Sequence, residues 1–309
     1  MATLPARSRP VRKTRPRTAP TPRCRAALCG VSTTGSGLPL RVLVHGADGV
    51  GKTSWAAHFP SPVFLYPASD TGLETLLDRG RIPPVSHFEP IHQWEEVGEH
   101  LGELLDSAHN HRTVVIDGLG GLERLCQERV CVRDFDGDWG ELGFHGYQRG
   151  FDVSAAEWRK MFAALETLRV ERQMGVVLLS ASRVVPFRNP AGADYDRYCP
   201  DLHAKAAAVT QRWADVVGFL QLVPQGAQVP RARRARTEAR LARILSVERS
   251  LGHEAKNRPG LPGEISLGDD PQSAYAAWER ALAECDRGAA SAGLPGRART
   301  CPLRQPASG

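Results

Sequence analysis

Eight consecutive residues constrain this chain more than any others: Gly46-Ala-Asp48-Gly49-Val50-Gly51-Lys52-Thr53. They fit the pattern G-x-x-x-x-G-K-[ST] without a mismatch. The flanks fit too. Leu40 to His45 reads as a buried strand stopped by glycine, and Thr53-Ser54-Trp-Ala-Ala is compatible with a helix. Glycines at these positions let backbone N–H groups curl around phosphate oxygens, and a helix N-terminus adds a positive dipole end. The predicted cradle runs over Gly46, Asp48, Gly49, Val50, Gly51, Lys52, Thr53 and Ser54. Lys52 is expected to reach the β- and γ-phosphates of ATP, and the Thr53 hydroxyl to ligate Mg²⁺. The competing reading is an ordinary glycine turn between a strand and a helix.

Further strands are expected at Pro62–Tyr66, Thr113–Ile116, Val176–Leu179 and Val216–Val223, with another at Ile244-Leu-Ser-Val. Continuous apolar strands suit a sheet covered on both faces. Helical stripes lie between them. One runs Ile91, Trp94, Val97, Leu101, Leu104, Leu105; another runs Trp158, Met161, Phe162, Leu165, Leu168. Asp270-Pro271 reads as an N-cap and first helical residue before Tyr275, Trp278 and Leu282. Strands alternating with helices predict an α/β fold with a mainly parallel sheet and helices on both faces.

Charge is unevenly placed. The net formal charge is +6, yet the first 25 residues hold seven arginines and Lys13, with no acid before Asp48. The rest carries 32 basic against 34 acidic residues, so a globally basic nucleic-acid surface does not follow from the total. Residues 1–37 are expected to form a disordered basic tail. It can be read as a solvated tail or over-extended start, a nucleic-acid arm, or a transit peptide. Residues 287–309 are expected to be a flexible C-terminal tail, which leaves one domain at 38–286. No apolar run approaches a membrane span, and no signal-peptide core is visible. A cytoplasmic protein with no membrane partner is expected. The seven cysteines include no CxxC, so free thiols are expected; a bridge or metal site at Cys126, Cys131 and His145 is the alternative.

Thr113-Val-Val-Ile-Asp117 is a Walker B pattern, four apolar residues ending in an acid, with Asp117 expected in the Mg²⁺ shell. Hydrolysis also needs a group that orients water. Asp70, after the second strand, is the candidate; Glu74 and Glu123 are rivals, and Glu123 can equally be solvated. Ser180-Ala-Ser182 ends the fourth strand and can sense a γ-phosphate or simply cap.

The chain resembles the phage-type RecA-like ATP-binding proteins that include single-strand annealing ATPases. The resemblance covers about residues 39–285. It rests on the phosphate loop, Thr71–Leu76 (TGLETL), Thr113–Asp117, Asp138-Trp-Gly, Gly192–Tyr198 (GADYDRY), Trp213-Ala-Asp-Val216, and Ala255-Lys256-Asn-Arg258 with Gly260-Leu-Pro262. It implies a RecA-like P-loop core whose Walker A and Walker B strands are not adjacent, ATP and Mg²⁺ as cofactors, and single-stranded DNA and a homo-oligomeric ring or filament as partners. In such assemblies Lys256 and Arg258 can reach a neighbouring subunit's γ-phosphate, since residues two apart on a strand point the same way; the competing reading is a pair of solvated charges at a loop start. Asp70 stands where many relatives carry Glu, and Ala181 where His is common; both bear on hydrolysis more than on binding.

Arg231, Arg233, Arg234, Arg236, Arg240 and Arg243 crowd one segment and can meet phosphates or be a solvated face. Phe187, Arg188, Tyr195 and Tyr198 can stack bases or pack to order their own loop. The expected function is a DNA-dependent ATPase of phage-type recombination or annealing. The alternative is a hydrolytically weak ATP-binding module whose nucleotide state gates assembly on DNA. A small-molecule kinase is a third class, for which no acceptor-pocket motif is visible.

Overall fold

The computed structural model describes residues 37–224 and 241–291. In chain order the elements are β1 (Arg41–Gly46), α1 (Lys52–Ala56), β2 (Pro62–Leu65), α2 (Gly72–Asp78), β3 (Ser86–His87), α3 (Trp94–Asp106), β4 (Thr113–Ile116) and α4 (Leu119–Phe135). Then follow α5 (Arg149–Glu171), β5 (Gly175–Phe187), β6 (Tyr195–Pro200), α6 (Ala204–Trp213), β7 (Val216–Pro224), β8 (Leu241–Ser246), β9 (Lys256–Asn257), β10 (Glu264–Gly268) and α7 (Pro271–Ser291). Residues 1–36 of the expected tail, the arginines from Arg231 to Arg240 and residues 292–309 lie outside the described residues. Helix α7 runs past the boundary expected at 286.

The sheet order is β10-β8-β7-β1-β5-β4-β2-β3, with β6 paired to β5 and β9 to β7. Strands β7, β1, β5, β4, β2 and β3 pair in parallel. The strand leading into the phosphate loop, β1, is separated from the Asp117 strand, β4, by β5. That is the non-adjacent arrangement the resemblance implies. Successive residues alternate between two cores, as pleating requires. Leu43, Val114, Ile116, Val176 and Leu178 face one core with residues of α3, α4, α5 and α6. Val42, Val44, Val115, Val177 and Leu179 face the other with residues of α1, α2 and α7. Both faces of the sheet are therefore covered, which is why these strands read as unbroken apolar runs.

Strand β8 begins at Leu241 rather than Ile244 and so takes in Arg243, and two further elements differ from expectation. Helix α3 begins at Trp94 rather than Ile91, because Ile91 bridges to Pro67 and its N–H donates to Tyr66 O. Strand β5 extends far beyond Leu179. Past Ser180 it leaves the buried sheet and pairs antiparallel with β6, from Ser182↔Pro200 to Phe187↔Tyr195. Its outer half is largely exposed and contains Pro186, so neither an apolar run nor a clean alternation marks it. The predicted N-cap of α7 forms: Ser273 N–H donates to Asp270 Oδ2 at 2.9 Å.

Candidate nucleotide-binding site

The loop between β1 and α1 is shaped by its glycines. A Cβ on Gly46 would lie 2.3 Å from Leu220 O on β7, so the close approach of the two strands admits no side chain. Gly49 and Gly51 have φ of 75° and 97°, in the region only glycine adopts without strain. Among the described residues, no group accepts a hydrogen bond from the N–H of Gly49, Val50, Gly51, Lys52 or Thr53. Unclaimed N–H groups in a row form a concave donor set for an anion. Helix α1 is a single short helix, Lys52–Ala56, so these local dipoles carry more of the attraction than a long macrodipole does.

Lys52 reaches back over the loop and donates to Gly46 O and Ala47 O, both at 2.9 Å. Burial lowers its pKa, with Asp48, Asp117 and Asp70 opposing that effect. It is a cation held only by neutral carbonyls and one long pairing to Asp48 at 4.0 Å, ready to exchange them for phosphate. Thr53 Oγ1 donates to Asp117 Oδ2 at 2.7 Å, which joins the end of β4 to the start of α1. Burial raises the Asp117 pKa to about 6, and the Thr53 bond partly offsets this. A hydroxyl and a carboxylate in contact are hard oxygen donors of the kind Mg²⁺ takes, so these residues fit the ion.

Asp70 lies beside this pair. Its Oδ2 would be 3.0 Å from a Cβ on Gly118, the residue after Asp117, while its Oδ1 accepts from Gly72 N–H at 3.0 Å. Its rivals are committed elsewhere. Glu74 Oε1 accepts from the Tyr66 hydroxyl at 2.9 Å. Glu123 is not a solvated side chain: it is 8% exposed and accepts from His203 N–H, the N-cap residue of α6, at 2.9 and 3.1 Å. That role depends on a residue 80 positions away and leaves no local sequence signal.

The ends of β1 and β5 are also joined. His45, the residue before Gly46, is fully buried. Its Nδ1 lies 2.8 Å from Ser182 Oγ and its Nε2 lies 2.9 Å from Glu254 O. Since Glu254 O can only accept, Nε2 carries the hydrogen and Nδ1 accepts from Ser182. Ser180 Oγ donates to Ala181 O at 2.9 Å. Both serine hydroxyl protons at the end of the buried strand are thus already used.

Lys256 and Arg258 sit at the opposite end of the strands. β9 pairs with the start of β7, Val217↔Lys256, whereas the phosphate loop follows the strands' carboxyl ends. Strand β9 ends at Asn257, so Arg258 lies just past it, yet the two side chains converge. Their shared target is the end of α6: Lys256 Nζ donates to Gln211 O, Arg212 O and Ala214 O at 2.6–3.1 Å, and Arg258 Nη2 donates to Arg212 O at 3.2 Å. Cations there suit the helix C-terminus. Arg258 also pairs with Asp215 at 3.2 Å.

The aromatic residues of the β5–β6 hairpin pack. Arg197 lies under Phe187 at 4.3 Å and Tyr195 at 5.3 Å, and it pairs with Glu254 at 2.5 Å. Tyr198 stacks on Phe219. Arg243 stands apart from the arginine run in which the sequence places it: it contacts the phosphate loop, donating to Val50 O at 3.0 Å. Cys126 and Cys131 are buried free thiols, and no metal-binding group of His, Cys, Asp and Glu occurs among the described residues.

A glycine-built donor cradle, an inward lysine and a threonine–aspartate pair across non-adjacent parallel strands define a nucleotide-binding P-loop NTPase. The model of the AAA domain family matches residues 38–259, more than half of the chain, and the protein belongs to that family. A comparison with curated proteins gives no match. No helix among the described residues is long and apolar enough to cross a membrane.

Proposed function

We propose that this protein is an Mg²⁺-dependent ATPase that acts on single-stranded DNA as a homo-oligomer, in recombination or annealing of the phage type. The observation that carries the ATPase reading is the juxtaposition of Lys52, Thr53, Asp117 and Asp70 around one loop. The cradle N–H groups and Lys52 bind the phosphates. Thr53 and Asp117 would hold the metal ion, which would supply positive charge to offset the negative charge that develops during transfer. Asp70 orients the attacking water; its carboxylate is one methylene shorter than glutamate. The DNA and assembly parts are supported by the resemblance of the GADYDRY and AKNR-x-GLP segments to annealing ATPases. In the assembly, Lys256 and Arg258 exchange their α6 carbonyls for the neighbour's γ-phosphate.

A second reading is favoured by a specific observation. Asp70 already accepts from Gly72 N–H, and the Ser180 and Ser182 hydroxyl protons are already engaged. An ATP-binding module with weak hydrolysis, gated in its assembly by nucleotide, fits that geometry. The test is ATP turnover with Mg²⁺, with and without single-stranded DNA, with Lys52→Ala as the control. DNA-stimulated turnover lost in the variant supports the first reading. Tight ATP binding without turnover in either condition supports the second.

A further inference from the structure

Arg243 belongs to no part of the phosphate-loop motif and lies far from it in sequence. β8 carries it, paired with Leu222 of β7. Its Nε donates to Val50 O at 3.0 Å, and its Nη1 donates to Asp269 O at 2.6 Å in the turn between β10 and α7. A Cβ on Gly51 would meet the same Nε at 2.9 Å. The guanidinium is therefore packed against the Val50–Gly51 peptide and would be displaced by any side chain at Gly51.

The consequence follows from peptide geometry. In a planar trans peptide, the carbonyl and the following N–H point in opposite directions. Holding Val50 O toward Arg243 turns Gly51 N–H away from it. That N–H has no acceptor among the described residues. Gly51 has φ of 97°, a conformation in which the peptide gains little support from ordinary backbone preference. A charged donor on the carbonyl also polarises the peptide and strengthens its N–H as a donor.

We propose that Arg243 is a positioning residue for phosphate binding, fixing and polarising the Val50–Gly51 peptide so that Gly51 N–H is presented to the anion. This rests on the reading of the loop as a nucleotide site. Arg243 acts through the peptide, and its bond to Asp269 O anchors it to the β10–α7 turn.

The test is titration calorimetry on the full-length protein with Mg²⁺, using ATP and inorganic pyrophosphate as probes, for wild type, Arg243→Ala and Arg243→Lys. Loss of one charge-assisted hydrogen bond predicts roughly tenfold weaker binding of both probes in Arg243→Ala. Lysine keeps the charge but cannot span both carbonyls, so Arg243→Lys is expected to fall between the two. Guanidinium ion added to the alanine variant is expected to restore part of the affinity, which a purely structural loss would not allow. Wild-type affinity for both probes in the alanine variant, with or without a lower melting temperature, overturns the proposal. If that variant does not fold, wild-type affinity in Arg243→Lys overturns it. Wild type that binds neither probe refutes the nucleotide site itself, a result distinct from equal binding by wild type and variants.

Discussion

Replacing His45 with glutamine should flatten the acid side of the stability profile. The His45 imidazole is fully buried between β5 and the Glu254 segment, and burial lowers its pKa from 6.5 to about 4. Unfolded, the same group titrates near its ordinary value. The folded pKa is the depressed one, so the unfolded chain binds the extra proton. Stability is then complete above pH 6.5 and is lost as pH falls toward 4. By proton linkage, that difference between the folded and unfolded chain corresponds to about 3 kcal/mol. Glutamine supplies one donor and one acceptor for Glu254 O and Ser182 Oγ but takes up no proton. Its baseline stability is expected to be lower, because it gives up the ring contact with Phe219. Urea unfolding of both proteins between about pH 7.5 and 4 cancels the titration of all other groups in the difference. Wild type should lose about 3 kcal/mol more than the variant over that range. Parallel profiles would refute the reasoning, since they would mean that folding does not hold His45 in its neutral form.

Lys52→Ala should abolish ATP binding by calorimetry; unchanged affinity would remove the loop from nucleotide binding. Asp70→Asn should keep ATP affinity within about twofold and lower turnover by roughly a hundredfold, the scale of a lost general base or water-orienting group. Equal turnover would take Asp70 out of the chemistry. Gly46→Ala places a carbon 2.3 Å from Leu220 O and must push β1 from β7. Overpacking of this kind costs about 1–3 kcal/mol, so an unchanged thermal melt would contradict the strand contact.

The phosphate loop, Asp117 and the five buried strands were legible because each is a local pattern: glycine spacing, an apolar run, an acid at a strand end. Their juxtaposition follows from the parallel pairing once β5 is placed between β1 and β4. What stayed hidden depends on partners distant in sequence. Glu123 reads as a rival for the water-orienting role or as a solvated acid until the N-terminus of α6 is laid on it. Arg243 reads as one of a cluster until β8 sets it against Val50. His45 carries no mark of the acceptor and donor that fix its tautomer. Lys256 and Arg258 carry no local mark of their target: one lies on β9 and the other just past it, and both turn to the carbonyls that end α6.

The helix that follows the phosphate loop is only Lys52–Ala56, and its buried Trp55 stacks edge-on against Trp278 of α7 at 5.6 Å. β1, at the centre of the sheet, finds its neighbours in β5 and β7, well over a hundred residues later. During synthesis the chain thus emerges with its nucleotide loop early and the surfaces that secure it late. The nascent segment must hold an exposed tryptophan until the C-terminal helix leaves the ribosome, an interval in which partly made chains are prone to associate. A fragment that stops at residue 259 keeps every residue of the phosphate loop and still lacks the aromatic cover on which its first helix rests.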